Sequence, residues 1–382
     1  MEYQRLGDYI KEVNVRNKDL NVTNLLGVNL SKKFFPSIAN IIGTDLSTYK
    51  VIHKGQFGCK FMSVGRDGIL PISLMEDEEP AIISSAYYVF EVKDENALLP
   101  KYLMMWLRRS EFDRQLWFFS GGDVRGGVNY GDFCEMPIKV PSLTRQREIV
   151  EEYETLSRRI RLNEQMIEKL EATAQALYRK MFVDGIDKEN LPEGWRMGTI
   201  SDICEVTDGT HDSPKPVEYG YSLVTSAHLS TWSLLLNQTY FISESDYNKI
   251  NERSKVETKD ILFSMIGTVG TVSFVLYDVI DFAVKNMAIF KTSQNHNYAE
   301  YLLCFLKSEE MSMFVAGSMS GSTQNYVTLN TLRETPIIIP CLELVEQFHE
   351  ASNTIISHIW NLTQENSKLT ELQSLLLARM GQ

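Results

Sequence analysis

Two stretches, FCEMPIKVPSL (Phe133–Leu143) and LRETPIIIPCL (Leu332–Leu342), share the pattern E-x-P-I-x-x-P-x-L. The same offset continues without a gap, so that Tyr102–Met181 aligns with Tyr301–Met380, and 19 of the 80 aligned pairs are identical. Unrelated chains of ordinary composition match at roughly one position in seventeen. The chain is therefore predicted to be a duplication. Each half runs from a mixed region of strands and turns through a Pro-bounded strand into a long charged segment.

That charged segment has, in both copies, the alternating 4-3 spacing of core positions that is typical of a coiled coil. Charged residues flank the core positions, as in RRIRLNEQMIEKLE (Arg158–Glu171). The two segments are predicted to pair with each other as antiparallel helices. The alternative is two amphipathic helices, each buried in a separate core. The predicted core positions of the coil are Ile149, Leu156, Ile160, Asn163, Ile167, Leu170, Leu177, Ile355, Ile359, Leu362, Asn366, Leu369 and Leu376.

One register of this helix pair sets Asn163 level with Asn366, because full overlap of the two segments brings these positions opposite each other. A buried Asn pair lowers the stability of a coiled coil but fixes its register. We therefore expect the two Asn side chains to be in contact.

Length and composition fit a packed, multidomain protein. The chain has 382 residues, of which 43% are apolar and 10% aromatic. The expected fold class is α+β, with two mixed domains in a pseudo-two-fold duplicated chain and a long two-helix antiparallel coiled coil between them. The predicted boundaries are 1–141 for the first mixed domain, 142–185 for the central helix, 186–340 for the second mixed domain and 341–382 for the distal helix.

The N-terminal stretch MEYQRLGDYIKEV (Met1–Val13) has charges where a signal peptide has an apolar core, and no apolar run approaches the ~20 residues that span a bilayer. The five cysteines are scattered and form no CxxC pair, so we expect reduced thiols, a cytoplasmic location and no structural zinc. The net charge of −12 argues against a generic basic nucleic-acid binder. An acidic chain can still carry one basic face.

The sequence lacks the common catalytic motifs. GxxxxGK[ST], GxSxG and HExxH are absent, as is the Asn-Pro-Pro-aromatic or Asp-Pro-Pro-aromatic stretch of amino-methyltransferases. GTVG (Gly267–Gly270) follows an apolar stretch and is interpreted as a tight turn rather than a phosphate-binding loop. The sequence therefore favours a chain without catalytic residues, metal or cofactor of its own.

DGTHDSP (Asp208–Pro214) contains residue types that occur in catalytic and metal sites. As a metal site it has one His and two Asp, but the chain offers no second group of ligands. As a serine triad it fails, because neighbours in sequence rarely converge around a nucleophile. The favoured interpretation is a turn that is held by hydrogen bonds to its own backbone and ended by Pro214.

These features together resemble the specificity subunit of Type I restriction–modification systems. The resemblance covers essentially the whole chain. It is carried by the duplication, LPEGW (Leu191–Trp195), DGTHDSP and GTVG followed by AVKNMAIF (Ala283–Phe290). In the first half, GRDG (Gly65–Gly68) and SSAYYVF (Ser84–Phe90) resemble stretches of this family. The segment NVRNKDL (Asn14–Leu20) contains no counterpart of DGTHDSP.

The resemblance implies a non-catalytic subunit that recognises double-stranded DNA. Each mixed region would be a target recognition domain for one half of a split sequence, and the coiled coil would act as spacer and as docking platform for two modification subunits. Those subunits would methylate adenine at N6 with S-adenosylmethionine. Restriction subunits with translocase and nuclease activity would use ATP and Mg²⁺.

Base edges are read by short polar side chains on rigid turns and by Arg, Lys, Asn and Gln, whereas phosphate contacts set the position of the protein. The expected DNA contacts are Lys60, Ser63, Arg66, Asp67, Tyr87, Arg125, Asn129, Thr210, His211, Ser213, Ser226, His228, Lys285, Asn286, Ser322, Thr323 and Gln324. Two other hypotheses remain open. One is a duplicated coiled-coil scaffold that binds protein partners without reading DNA, which the net charge favours, and the other is a stand-alone enzyme of unknown type.

Overall fold

The computed structural model of the chain describes residues 2–37, 43–119, 128–319 and 325–382. The chain forms two compact units. The first unit comprises Met1–Ile160 and Lys368–Gln382, and the second comprises Arg161–Ser367. Each unit therefore takes in part of both long helices.

The first unit is built from short strands, short helices and part of each long helix. Its strands are β1 (Gln4–Arg5), β2 (Ile10–Val13), β3 (Leu26–Val28), β4 (Phe34–Pro36), β5 (Lys50–Ile52), β6 (Gln56–Cys59), β7 (Ile72–Leu74), β8 (Ala81–Ile83), β9 (Tyr88–Val92) and β10 (Pro137–Ile138). Its helices are α1 (Val64–Asp67), α2 (Pro100–Leu107), α3 (Ser110–Phe119) and α4 (Tyr130–Cys134), followed by the first long helix, α5 (Leu143–Phe182).

The central sheet of the first unit has the strand order β2-β9-β6-β7, with antiparallel neighbours. Its aromatic residues form the core: Phe57 of β6 stacks on Phe90 of β9 with ring centroids 4.8 Å apart, and Phe133 packs against Phe90. Helix α2 begins at Pro100, which suits the first helical position because that position needs no backbone N–H donor. Large side chains of α2, such as Trp106, are buried in the core of the unit.

The second unit repeats this plan with additional strands. Its strands are β11 (Arg196–Thr199), β12 (Val206–Asp208), β13 (Tyr221–Val224), β14 (Leu229–Ser230), β15 (Ser233–Leu234), β16 (Tyr240–Ile242), β17 (Ile261–Ser264), β18 (Val272–Phe274), β19 (Phe282–Val284), β20 (Met287–Phe290) and β21 (Pro336–Ile339). Its helices are α6 (Glu244–Ser254), α7 (Ala299–Leu306), α8 (Glu309–Ser318), α9 (Leu329–Arg333) and the second long helix, α10 (Leu342–Arg379).

The two units have a similar order of elements. The sheet β12-β20-β17-β18 of the second unit corresponds to β2-β9-β6-β7 of the first. Among the described residues of each unit, three short helices follow the sheet and lead into a Pro-initiated strand and then a long helix. The Pro-initiated strand pairs with the first strand of its own unit, β10 with β1 and β21 with β11.

The long helices contact each other in antiparallel order. In the second unit, Asn163 Nδ2 donates to Asn366 Oδ1 at 2.9 Å and to a Glu365 carboxylate oxygen at 3.0 Å. The expected contact between the two Asn side chains is therefore confirmed. In the same unit Tyr178 of α5 packs on Phe348 of α10, so residue numbers rise along one helix as they fall along the other.

The two long helices are also antiparallel in the first unit. Their ends are buried in the cores of the units. In the first unit Gln373 Nε2 of α10 donates to Ser157 Oγ of α5 at 2.6 Å. Val150 and Met380 lie in the core of that unit, and Phe182 lies in the core of the second. The long helices thus pair with each other, and their ends are also buried in the cores of the units. No helix among the described residues is both long and apolar enough to cross a membrane.

Candidate functional site

A parallel strand pair in the second unit brings two distant segments to one edge of a sheet. Strand β13 pairs in parallel with β19, so that Val224 lies opposite Val284. Parallel strands end at the same edge, so the residues that follow Val224 lie beside those that follow Val284. The backbone N–H of Lys285 donates to the Val224 carbonyl oxygen at 2.9 Å and fixes this junction.

DGTHDSP folds against the same edge. The Thr210 N–H donates to the Val284 carbonyl at 3.0 Å, and the Asn286 N–H donates to the Thr210 carbonyl at 3.1 Å. Gly209 makes this approach possible, because a Cβ atom there would lie 2.5 Å from the Val284 carbonyl oxygen. The backbone of the turn is thereby fixed to the end of β19.

Six polar residues meet at this edge and are here called the polar cluster: Asp208, Thr210, His211, Ser213, Lys285 and Asn286. His211 Nε2 lies 2.8 Å from Asp208 Oδ2, and His211 Nδ1 lies 2.9 Å from Asn286 Oδ1. Lys285 Nζ donates to Ser213 Oγ at 2.5 Å. The structure thus joins five of the residues expected to contact DNA, which come from two segments more than 70 positions apart.

Asn286 adopts an uncommon backbone conformation within the polar cluster. Its φ is 55°, in the left-handed region that Asn tolerates better than most residues. This conformation turns the chain between β19 and β20 and allows the Asn286 amide to reach His211. The ring of His211 is therefore held from both sides, by a carboxylate and by an amide.

The interpretation of DGTHDSP as a turn held by its own hydrogen bonds is confirmed. The Asp212 N–H donates to Thr210 Oγ1 at 3.1 Å. Thr210 is only 8% exposed, so its side chain shapes the turn, whereas His211 and Ser213 are exposed at the surface. The described residues contain no group of three or more His, Cys, Asp or Glu that is placed to hold a metal ion. GTVG is a turn between β17 and β18, with positive φ at Gly267 and Gly270.

Ser226 and His228 follow β13 in a short 3-10 helix, Ser226–His228. The N–H of Thr225, which caps this helix, donates to His228 Nδ1 at 3.0 Å. That bond needs the neutral ring, and burial lowers the pKa of His228 below its ordinary value. His228 is therefore held in place as a hydrogen-bond acceptor for the backbone.

Stability of the second unit is expected to fall as the pH drops below the ordinary His value of about 6.5. Because folding lowers the pKa of His228, the neutral ring is favoured in the folded state, and its contribution is complete at higher pH and lost in acid. Urea unfolding at neutral and mildly acidic pH measures the effect. His228→Asn keeps an acceptor that does not titrate, so the variant should lose less stability in acid than the natural chain. Equal losses in both proteins would contradict this role.

In the first unit the expected DNA-contacting residues form two separate pairs. Lys60 Nζ lies over the ring of Tyr87, 5.9 Å from its centroid, and the Tyr87 hydroxyl accepts from the Val28 N–H at 3.1 Å. The exposed Arg66 guanidinium pairs with Asp67 at 2.8 Å. Lys60 and Tyr87 therefore come together, and Arg66 with Asp67 forms a second pair on α1.

The remaining expected contacts are buried, structural or outside the described part of the chain. Ser63 is 7% exposed. Asn129 caps α4, because its side chain accepts from the Asp132 N–H at 3.0 Å. Four expected residues lie outside the described residues: Arg125, Ser322, Thr323 and Gln324.

Two basic residues that the sequence did not single out border the polar cluster. Arg253 Nη2 lies 3.3 Å from Asp208 Oδ1, and Lys249 Nζ lies 3.8 Å from Asp212 Oδ2. Both belong to α6, four positions apart in ESDYNKINERS. The spacing of four positions indicates that the two cations share one side of a helix. Nothing in the sequence indicates that this helix lies beside DGTHDSP.

Comparison with known proteins identifies the family. A family model for the Type I restriction modification DNA specificity domain matches residues 72–172 and 192–374. The specificity subunit of the Type I restriction enzyme HindI from Haemophilus influenzae is 22% identical, and the alignment covers 98% of this chain and 97% of that protein. The specificity subunit of the Type I restriction enzyme MjaIX from Methanocaldococcus jannaschii is also 22% identical, over 75% of this chain and 69% of that protein.

A solved structure shows that the fold is shared. The crystal structure of the Type I restriction–modification S subunit from M. genitalium matches with a TM-score of 0.55 and 13% identity, covering 99% of this chain and 95% of that one. The family match covers more than half of the chain and takes in parts of both units. Specificity subunits are the non-catalytic parts of restriction–modification complexes, and their role is DNA sequence recognition. The chain belongs to the Type I restriction–modification DNA specificity family.

Proposed function

We propose that each unit of this chain reads one half of a split DNA target and that the paired helices act as spacer and docking platform for two methyltransferase subunits. The chain is then a duplication whose two halves are related by a pseudo-two-fold axis. The mixed part of each unit is a target recognition domain. The observation that carries the proposal is the polar cluster, in which donors and acceptors from separate segments meet on a fixed turn that exposes His211 and Ser213.

The polar cluster has the chemistry that base reading requires. Base edges in the major groove present donors and acceptors in patterns that short polar side chains and Lys or Asn can distinguish. Such reading needs side chains that are already in place, because ordering them on binding reduces affinity. The bonds of Thr210 to β19 and the contacts of His211 with Asp208 and Asn286 supply that order. In the first unit, Lys60 with Tyr87 and Arg66 with Asp67 are the proposed counterparts.

The helix pair supports the role of spacer and platform. The Asn163–Asn366 contact favours one register, because a shifted register would take this partner away from the buried Asn163 amide. In the first unit a groove of about 920 Å³ lies between α5 and α10. Its lining combines leucines with three glutamates of α5 and one arginine of α10: Leu156, Leu372, Leu375, Leu376, Glu148, Glu151, Glu152 and Arg379. This combination suits a basic amphipathic helix of a methyltransferase subunit.

The proposed partners would supply the chemistry that this chain lacks. Methyltransferase subunits would bring S-adenosylmethionine for adenine-N6 methylation, and translocase-nuclease subunits would bring ATP and Mg²⁺. None of the polar cluster residues is assigned a chemical step in this proposal.

Methylome sequencing of cells with and without this chain, in the presence of its methyltransferase partner, tests the proposal. A split adenine-methylated motif should be present with the chain and lost without it. A complex that assembles but methylates no split motif would contradict DNA reading and would favour the alternative, a duplicated coiled-coil scaffold that binds only proteins.

A further inference from the structure

Helix α6 carries two exposed cations beside the polar cluster. Lys249 and Arg253 are four positions apart, which places them on the same side of the helix, one turn from each other. Their side chains are 75% and 62% exposed. Arg253 Nη2 lies 3.3 Å from Asp208 Oδ1, and Lys249 Nζ lies 3.8 Å from Asp212 Oδ2. Both cations therefore sit at the border of DGTHDSP.

Helix α6 is firmly attached to the site, so these cations have a defined position. The Ser254 hydroxyl donates to the Asp208 carbonyl oxygen at 2.7 Å. Tyr247 stacks on Tyr221 of β13 with ring centroids 3.9 Å apart, and its hydroxyl donates to the Ile280 carbonyl at 3.0 Å. The helix is thus held both to the turn and to the parallel strand pair that builds the polar cluster.

Three cations and two carboxylates meet at the polar cluster. Lys249, Arg253 and Lys285 meet here, whereas the chain carries a net charge of −12. Asp208 is 15% exposed, and its two carboxylate oxygens face His211 and Arg253. Asp212 is the exposed acid among these five charged residues. Within this set the cations therefore outnumber the carboxylates.

We propose that Lys249 and Arg253 bind backbone phosphates of the DNA duplex whose bases the polar cluster reads. The inference rests on the proposed function and adds residues that position the duplex without reading its sequence. Cations at the border of a base-reading surface supply this kind of contact, and each contact that neutralises a phosphate releases a counterion. Lys249 and Arg253 would exchange their weak carboxylate contacts for phosphate oxygens when DNA binds.

The salt dependence of binding to a random-sequence duplex tests this inference. The assembled complex of the full chain with its methyltransferase subunits is titrated onto a fluorescein-labelled duplex at several salt concentrations. Lys249→Gln/Arg253→Gln should weaken binding about tenfold or more at low salt and reduce the slope of log K against log salt by about two. Lys255→Gln is the matched control, because Lys255 is 67% exposed and contacts Glu257 rather than the turn. It should leave the slope unchanged.

Single variants separate phosphate binding from a structural role. Lys249→Gln removes only a contact between two largely exposed groups, so folding should be unaffected, and the slope should fall by about one. Asp212→Asn removes the exposed acid beside Lys249 and should strengthen binding to the same duplex. An unchanged slope for Lys249→Gln overturns the inference. The random duplex distinguishes the two proposals. Absence of a methylated split motif would overturn only sequence reading. A slope of log K against log salt that is the same in the variant and the natural chain would overturn only the phosphate contacts.

Discussion

Phe182→Ala is expected to lower the free energy of unfolding of the second unit by about 3–5 kcal/mol. Phe182 ends helix α5 and is 2% exposed. Its ring centroid lies 4.8 Å from that of Tyr301, 5.2 Å from that of Phe348 and 6.0 Å from that of Trp195. Removal of this ring would leave a cavity where both long helices, α7 and the LPEGW segment meet. Urea unfolding, followed by tryptophan fluorescence and circular dichroism, measures the loss.

Val183→Ala is the matched control for this prediction. Val183 is the next residue in the chain and is 39% exposed, so its truncation should change the unfolding free energy by less than about 1 kcal/mol. A small loss in both variants would mean that Phe182 does not hold the helix ends in the core. A large loss for Phe182 alone would show that the long helices derive their stability from the unit as well as from each other.

His211→Ala is expected to relax base preference in one half of the split target and to leave the other half unchanged. The ring of His211 lies between Asp208 and Asn286, so its removal frees both of these side chains as well as one candidate base contact. Loss of a good base contact lowers discrimination by about 1–3 kcal/mol, or about 10–100-fold, at that position. Methylation rates of the assembled complex on duplexes with single substitutions in each half give the profile.

His296→Ala is the control for the His211 variant. His296 is an exposed histidine of the same unit, in the 3-10 helix His296–Tyr298, and lies outside the polar cluster. It should leave both halves of the profile unchanged. Relaxed preference in both halves for His211→Ala would mean that the ring stabilises the whole complex rather than reading one site.

The parts of the fold that the sequence could predict are those with a repeating local pattern. The 199-residue offset between Pro137 and Pro336 gave the shared element order, and the 4-3 spacing gave the helix pair. The contact between Asn163 and Asn366 followed because two polar residues in apolar core positions are satisfied best by each other. The turn of DGTHDSP was also local, since Thr210 Oγ1 binds the backbone two residues later.

The assembly of the polar cluster depends on contacts without a local pattern. Residue type alone indicates Lys285 and Asn286 as DNA contacts, whereas their meeting with Ser213 and His211 depends on the parallel pairing of β13 with β19. Thr210 looked like any other turn residue, but its contacts with β19 bury it. The position of Lys249 and Arg253 also has no local pattern, because only the packing of α6 against the sheet brings them to the turn.

The contact between Asn163 and Asn366 also constrains how this chain can evolve. Seven residues inserted into one long helix alone would preserve its heptad spacing but would move one Asn out of line with the other. The buried Asn163 amide would then lose its contacts with Asn366 and Glu365, at a cost of about 1–3 kcal/mol. Changes in the length of the helix pair are therefore expected to occur in both helices together, as matched insertions or deletions on the same side of the Asn pair.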